Sequence, residues 1–164
     1  MRGRRVFLII CIMALFGSVV LAQPSAFKCA RLKYSGGGDW YNDPSAVPNL
    51  MAYIRTHTGV GAPEKEETVE ASSPAIFQYA FVFMTGHGNV RFSDSELENL
   101  RRYLKAGGFL YVDDDYGLDK SFRRELERLF PGNALAELPY SHPIYHIYYD
   151  FAKGLPKTHE HDQK

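Results

Sequence analysis

Three consecutive aspartates, Asp113, Asp114 and Asp115, are the residues whose chemistry is most evident in this sequence. Adjacent carboxylates repel one another, so such a cluster needs a cation or hydrogen-bond donors to neutralise it. A divalent metal ion is one solution, because hard cations prefer carboxylate oxygen. Capping of the following helix, or pairing with Arg123 and Arg124, is another. Because side chains alternate along a strand, we expect only one or two of the three aspartates to face one cleft.

A histidine between two glycines is the second candidate, in the segment Gly86-His87-Gly88-Asn89. Imidazole titrates near neutral pH, so a histidine presented at the end of a strand can ligate a metal ion or move protons. We therefore predict these four residues as ligand-binding, with His87 and Asp114 as metal candidates. The alternative is a histidine that shapes the turn by bonding to nearby backbone.

A glycine-rich loop, residues 36–43, supplies Gly37, Gly38, Asp39 and Trp40 as further ligand-binding candidates. Glycines let the backbone turn tightly, and free N–H groups in such a turn can cradle an anion. The loop matches neither dinucleotide-binding nor P-loop spacing, so a nucleotide site is not supported. The alternative is a tight turn with Trp40 as a packing anchor.

The C-terminal part of the chain is rich in histidine and tyrosine. His142, His159 and His161 are metal candidates, and the HEHD segment offers the last two as a ligand pair. No HExxH motif is present, so a zinc protease is not supported. Tyr145 and Tyr116 are candidate ligand contacts, because aromatic rings with polar tips can line a sugar or peptide cleft. The favoured alternative is an aromatic lid packed on the sheet.

No covalent nucleophile is evident, because the sequence lacks a GxSxG elbow. Cys29 lies in the first predicted strand, where we expect a buried small hydrophobic residue rather than a reactive thiol.

Apolar periodicity predicts alternating strands and helices, and hence a mostly parallel sheet with helices on its faces. Ser45 is expected to cap the first helix, and Ser93 with Glu96 forms a capping-box pattern before the second. In such a sheet the loops that follow the strands share the carboxyl edge, where ligands bind. We therefore expect the candidate residues to converge there. The predicted strands are 27–34, 68–71, 79–84, 109–112 and 134–138, of which 79–84 and 109–112 are expected to be buried, and a third helix is predicted over 120–130.

Residues 1–22 have the layout of a secretory signal peptide. Arg2, Arg4 and Arg5 precede an apolar stretch, and Ala22 ends a small-residue cleavage pattern. The alternative, an uncleaved membrane anchor, has roughly 16 apolar residues where about 20 are needed to span a bilayer. We predict cleavage after Ala22, export to the periplasm or medium, and a single domain over residues 23–164, with membrane contact only through an uncleaved segment.

Charge also limits the class of partner. The full chain has 19 basic and 19 acidic residues, but loss of the signal segment removes three arginines and leaves a net charge of −3. A generally basic nucleic-acid-binding protein is therefore excluded. An unknown small molecule or an envelope protein is the expected partner.

Several motifs together resemble one bacterial protein family. The segments GGGDWYND, FMTGHG, GGFLYVDDDYG, SHPIYHIYYDF and HEHD resemble domain-of-unknown-function family 4159. The resemblance implies an exported or membrane-attached protein with a three-layer α/β fold, flavodoxin-like and similar to class I glutamine amidotransferases. In active amidotransferases a cysteine nucleophile follows the strand where Asp113–Asp115 stand here, so the resemblance implies no cysteine-dependent glutamine hydrolysis. Family members continue beyond HEHD, so we expect a C-terminally short version.

Three hypotheses of function follow. The first is a ligand-binding or non-enzymatic envelope module with its site at the carboxyl edge of the sheet. The second is a metal-dependent hydrolase-like enzyme in which Asp113–Asp115 and His87 hold a divalent cation that activates water. The third is an interaction scaffold of the envelope.

Overall fold

A computed structural model describes residues 27–155 as an α/β domain. The predicted signal segment and the candidates His159 and His161 lie outside these residues. No helix within residues 27–155 has the length and apolar character needed to cross a membrane. The strands are β1 (Cys29–Lys33), β2 (Glu67–Glu70), β3 (Phe81–His87) and β4 (Phe109–Tyr116), and the helices are α1 (Ala46–His57), α2 (Asp94–Lys105) and α3 (Asp119–Leu129).

The four strands form one parallel sheet in the order β2-β1-β3-β4. On one face, Val47 and Met51 of α1 pack against Cys29 and Phe83. On the other face, α2 and α3 pack against the alternate residues of β1 and β3 in a second apolar cluster. The expected parallel sheet with helices on both faces is therefore confirmed. The central strand β3 is buried along its interior positions, as its continuous apolar run predicts.

Helix starts follow the local sequence closely. The capping box of α2 is confirmed, because the Ser93 side chain accepts from the Glu96 N–H and the Glu96 carboxylate accepts from the Ser93 N–H. Ser45 stands at the N-cap position of α1 as predicted, but its side chain makes no capping hydrogen bond. Pro48 lies in the first turn of α1, where its missing N–H removes no helical hydrogen bond.

Two strand predictions at the end of the sheet are wrong. Residues 134–138 form no strand, and β4 is an edge strand whose residues are exposed or half-buried rather than buried. Residues 134–138 contain no β-branched or aromatic residue, so they gain little from pairing. Leu135 instead lines a cavity of about 420 Å³ between β4 and α3, together with Leu110 and Leu126. The segment containing His142 and Tyr145 therefore does not follow a strand, contrary to expectation.

Residues 140–154 form an aromatic segment with one short 3-10 turn, Pro143–Tyr145. The Tyr149 hydroxyl contacts that of Tyr53 on α1. This contact places Tyr149 against α1, while Tyr140, Tyr148 and Tyr149 are each more than half exposed, so the expected lid packed on the sheet is not observed for these tyrosines.

Candidate functional site

The imidazole of His87 joins three separate parts of the chain at the carboxyl end of β3. Its Nδ1 lies 3.0 Å from Asp39 Oδ2, in the loop after β1, and its Nε2 lies 2.9 Å from Asp115 Oδ2 on β4. The side chains of His87, Asp39 and Asp115 are 40%, 30% and 25% exposed, so solvent reaches the cluster. The expected convergence at the carboxyl edge is therefore observed for these three candidates.

The partners of His87 define its protonation state. A carboxylate only accepts hydrogen bonds, so the imidazole satisfies both contacts when each ring nitrogen carries a proton. The hydrogen bond to Asp39, and then the negative charges of Asp115, Asp39 and Asp43, raise the pKa of His87 above its usual value of 6.5. The backbone N–H of His87 also donates to Asp39, and this bond is the largest factor lowering the pKa of that carboxyl. The two carboxylates therefore favour the protonated imidazole, while the Asn42 amide nitrogen lies 3.3 Å from the same Nδ1.

The three consecutive aspartates have three different environments because β4 continues through them instead of ending before them. Asp113 pairs in register with Thr85 and Asp114 with Gly86, but His87 pairs with Tyr116. This one-residue shift leaves Asp115 as the extra residue of a bulge, a device that redirects a side chain. Asp115 contacts His87, whereas Asp114 Oδ1 accepts from the Leu118 N–H at 2.7 Å, just before α3.

The arginines considered as partners of the aspartate cluster are engaged elsewhere. Arg123 Nε lies 2.7 Å from Asp119 Oδ1, and Arg124 Nη2 donates to Asn89 Oδ1 at 3.0 Å. Pairing of the cluster with Arg123 and Arg124 is therefore a wrong prediction. The i, i+4 spacing on α3 brings Arg123 to Asp119 instead.

Asp113 is exposed and shares the α1 face of the sheet with Tyr111. Desolvation raises its pKa, and the carboxylates of Asp43, Asp115 and Asp114 raise it further. Asp43 belongs to the loop after β1 and has a φ of 50°, a left-handed conformation that aspartate tolerates better than most residues. Asp43 and Asp113 thus extend the acidic surroundings of His87.

Arg31 organises the loop that carries Asp39, and the sequence reasoning missed it. The Arg31 side chain is only 3% exposed and forms an ion pair with Glu66. Its guanidinium also donates to the backbone carbonyls of residues 40, 42 and 43, and lies 5.3 Å from the centre of the Phe83 ring. The signal that could have found it is the alternation of FKCARLKY, which puts Arg31 on the same face as Phe27 and Cys29, because buried charges require partners.

Tyr34 and two glycines determine how closely the loop approaches β3. The Tyr34 hydroxyl donates to the Thr85 carbonyl at 3.1 Å, and burial raises the pKa of Tyr34 to about 12. A Cβ on Gly38 or Gly86 would overlap this hydroxyl, and Gly86 has a φ of 141°. Close packing of the loop against β3 therefore requires glycine at both positions.

The remaining predicted residues support the loops around His87. Asn89 Nδ2 donates to the Gly36 carbonyl at 2.8 Å, and Gly88 N–H donates to the Tyr116 carbonyl at 3.3 Å. Trp40 is half-buried against the larger core cluster, as a packing anchor would be. Gly37 has open space beside it, and Tyr116 is exposed.

His142 and Tyr145 belong to the aromatic segment. His142 Nδ1 accepts from the Ile144 N–H at 3.2 Å, so this histidine caps the short 3-10 turn. Within residues 27–155, no group of three or more His, Cys, Asp or Glu side chains converges in a way that could hold a metal ion. His87, Asp114 and His142 therefore do not form the metal-ligand set considered from sequence.

Cys29 is buried as expected, and burial raises the pKa of its thiol to about 12. A thiol with this pKa stays protonated at neutral pH and is a poor nucleophile.

The fold and site define an α/β domain with an acidic histidine cluster at the carboxyl edge of a parallel sheet. The chain belongs to a family described as a domain of unknown function (DUF4159), whose model matches residues 28–164. No curated protein matches the sequence significantly.

Proposed function

We propose that this chain is an exported, flavodoxin-like α/β domain that binds a small polar ligand at the carboxyl edge of its sheet without catalysing a covalent step. The observation that carries the proposal is the partly exposed His87 imidazole held between Asp39 and Asp115. It gathers three chain segments at the edge where open parallel sheets bind ligands. Export rests on the charged and apolar pattern of residues 1–22.

Binding is favoured over catalysis by the state of the candidate groups. When both ring nitrogens of His87 donate to the carboxylates of Asp39 and Asp115, the imidazole has no lone pair with which to accept a proton from a substrate. The Cys29 thiol is buried and protonated at neutral pH. The hydrolase alternative needs a set of metal ligands, and none converges within residues 27–155.

Nuclear magnetic resonance titration of the full chain provides the test. Small cations, sugars and short peptides are added in turn while the ring signals of His87 are followed. We expect at least one class to shift these signals saturably, and His87→Gln to weaken binding at least ten-fold. The matched control is His57→Gln, because His57 is also exposed but lies at the end of α1. The proposal fails if no class shifts the His87 signals, or if a ligand is turned over in a His87-dependent reaction.

A second candidate is the envelope scaffold, and the aromatic segment favours it. Ile147 is 79% exposed and Tyr148 is 65% exposed, which is unusual for large apolar side chains on one short segment. The test is capture of envelope proteins by the full chain and by an Ile147→Ser variant. A scaffold predicts a protein that is lost with Ile147→Ser but retained with His87→Gln, whereas identical captures would remove this candidate.

A further inference from the structure

The aromatic segment, residues 140–154, closes on itself at its two ends. The Phe151 N–H donates to the Tyr145 carbonyl at 2.9 Å, and the Gly154 N–H donates to the Phe151 carbonyl at 2.9 Å. Gly154 lies so close to the Tyr140 ring that a Cβ at this position would stand 2.7 Å from it. A compact surface segment whose ends meet and whose own side chains pack together is an Ω-loop, a kind of loop that frequently has a function.

The imidazole of His146 bridges two parts of this loop through both of its ring nitrogens. Nδ1 lies 2.6 Å from Asp150 Oδ1, and Nε2 lies 2.7 Å from the backbone carbonyl oxygen of Tyr140. Both oxygens are hydrogen-bond acceptors. A neutral imidazole carries one N–H, so it satisfies one of the two contacts and turns a lone pair toward the other oxygen. Only the protonated ring donates to both.

The surroundings of His146 favour the protonated ring. The hydrogen bond to the Tyr140 carbonyl, and then the hydrogen bond to Asp150 and its negative charge, raise the pKa of His146 above its usual value of 6.5. Asp150 is 79% exposed, so solvent screens its charge and the carbonyl contact contributes more. Within residues 27–155, no other charged group contributes to this change. The contact with α1 is made by Tyr149 and the Tyr53 hydroxyl rather than by His146.

We infer that His146 is a pH-sensitive latch, which holds the aromatic segment closed while its ring is protonated and releases Tyr140 or Asp150 when the ring loses its proton. The latch is fully present below pH 6.5 and is lost as the pH rises through the raised pKa of His146. The segment carries the exposed side chains of Ile147 and Tyr148. The pH of the surroundings therefore determines how firmly this surface is held, independently of any ligand at His87.

Nuclear magnetic resonance of the full chain from about pH 5 to about pH 9 tests the inference with two measurements. The first follows the Cε1–H signal of His146, and we expect its pKa to lie above 6.5. The second measures amide hydrogen exchange of Phe151 as a protection factor, which removes the intrinsic effect of pH on exchange. Its reference is the amide of Leu100, which is buried in α2 and reports global unfolding. Relative to Leu100, the protection of Phe151 should fall about three- to ten-fold as His146 loses its proton, because one hydrogen bond of the loop is lost.

Three variants assign the effect to this histidine. His146→Gln should remove the fall in Phe151 protection, because the glutamine side chain does not titrate. Asp150→Asn keeps the imidazole but lowers its pKa, so the fall should occur at a lower pH. The matched control is His87→Gln, which removes the other histidine whose pKa is raised by a carboxylate and should leave the fall unchanged.

Contrary results overturn the inference in distinct ways. A pKa of His146 at or below 6.5 would show that the ring does not donate to both oxygens. Phe151 protection that is independent of pH, or that falls equally in His146→Gln, would show that His146 does not hold the loop. A fall that disappears in His87→Gln instead would assign the pH dependence to the edge of the sheet and refute the latch.

Discussion

Replacing Thr85 with valine should make the unliganded protein more stable, the opposite of the usual effect of a core substitution. The Thr85 side chain is fully buried and its hydroxyl has no partner among residues 27–155. Leaving a buried polar group unpaired costs about 1–3 kcal/mol, and an apolar group of the same shape removes that cost. Valine keeps the β-branched shape of threonine and exchanges its hydroxyl for a methyl group. We therefore expect the free energy of unfolding to rise by about 1–2 kcal/mol.

Urea denaturation followed by circular dichroism measures the effect, and thermal denaturation should show a rise in Tm of roughly 3–8 °C. The matched control is Thr68→Val, the same substitution at an exposed position of β2, which should change stability by less than about 0.5 kcal/mol. An unchanged or lower stability of Thr85→Val would refute the reasoning, because it would mean that the hydroxyl is satisfied in the folded protein.

Three further substitutions test how the site is held together. Arg31→Met leaves Glu66 unpaired and removes the donor to the carbonyls of residues 40, 42 and 43. It should therefore lower the free energy of unfolding by about 3 kcal/mol in urea denaturation. A loss below about 1 kcal/mol would contradict the conclusion that Arg31 organises this loop. Protonated His87 stabilises the fold below pH 6.5, and this contribution is lost as the pH rises through the raised pKa of His87. His87→Gln should therefore reduce the fall in the free energy of unfolding above pH 6.5. If the free energy of unfolding of the variant falls with pH as steeply as that of the parent chain, His87 is not protonated in the fold. Gly86→Ala should lower the free energy of unfolding by about 1–3 kcal/mol, because the new methyl group overlaps the Tyr34 hydroxyl. An unchanged free energy of unfolding would show that Tyr34 does not approach Gly86 this closely.

Local signals in the sequence predicted much of the architecture. Ser93 and Glu96 form their capping box within one helical turn, so its formation depends on neighbouring residues alone. The apolar run of β3 indicates burial on both faces, and the strands that alternate with helices imply parallel pairing. The glycine-flanked His87 was likewise identified as a candidate from its position at the end of a strand. The inferences about the helix start and the buried strand succeed because the information lies within a few residues.

Other features were decided by contacts between distant segments. Residues 109–112 would be buried only if another strand paired with the outer edge of β4. The apolar content of residues 134–138 does not reveal that this segment remains unpaired. The bulge that turns Asp115 toward His87 arises from the register between β3 and β4. Arg31 finds its partner 35 residues away.

The residue types of the candidate site were therefore evident from the sequence by itself, together with the sheet edge that gathers them. Only the tertiary structure decided that His87 pairs with Asp39 and Asp115 while Asp114 caps the start of α3. The physical reason is that periodicity and capping reflect local interactions, whereas strand register and ion pairing depend on which distant groups folding brings within hydrogen-bonding distance.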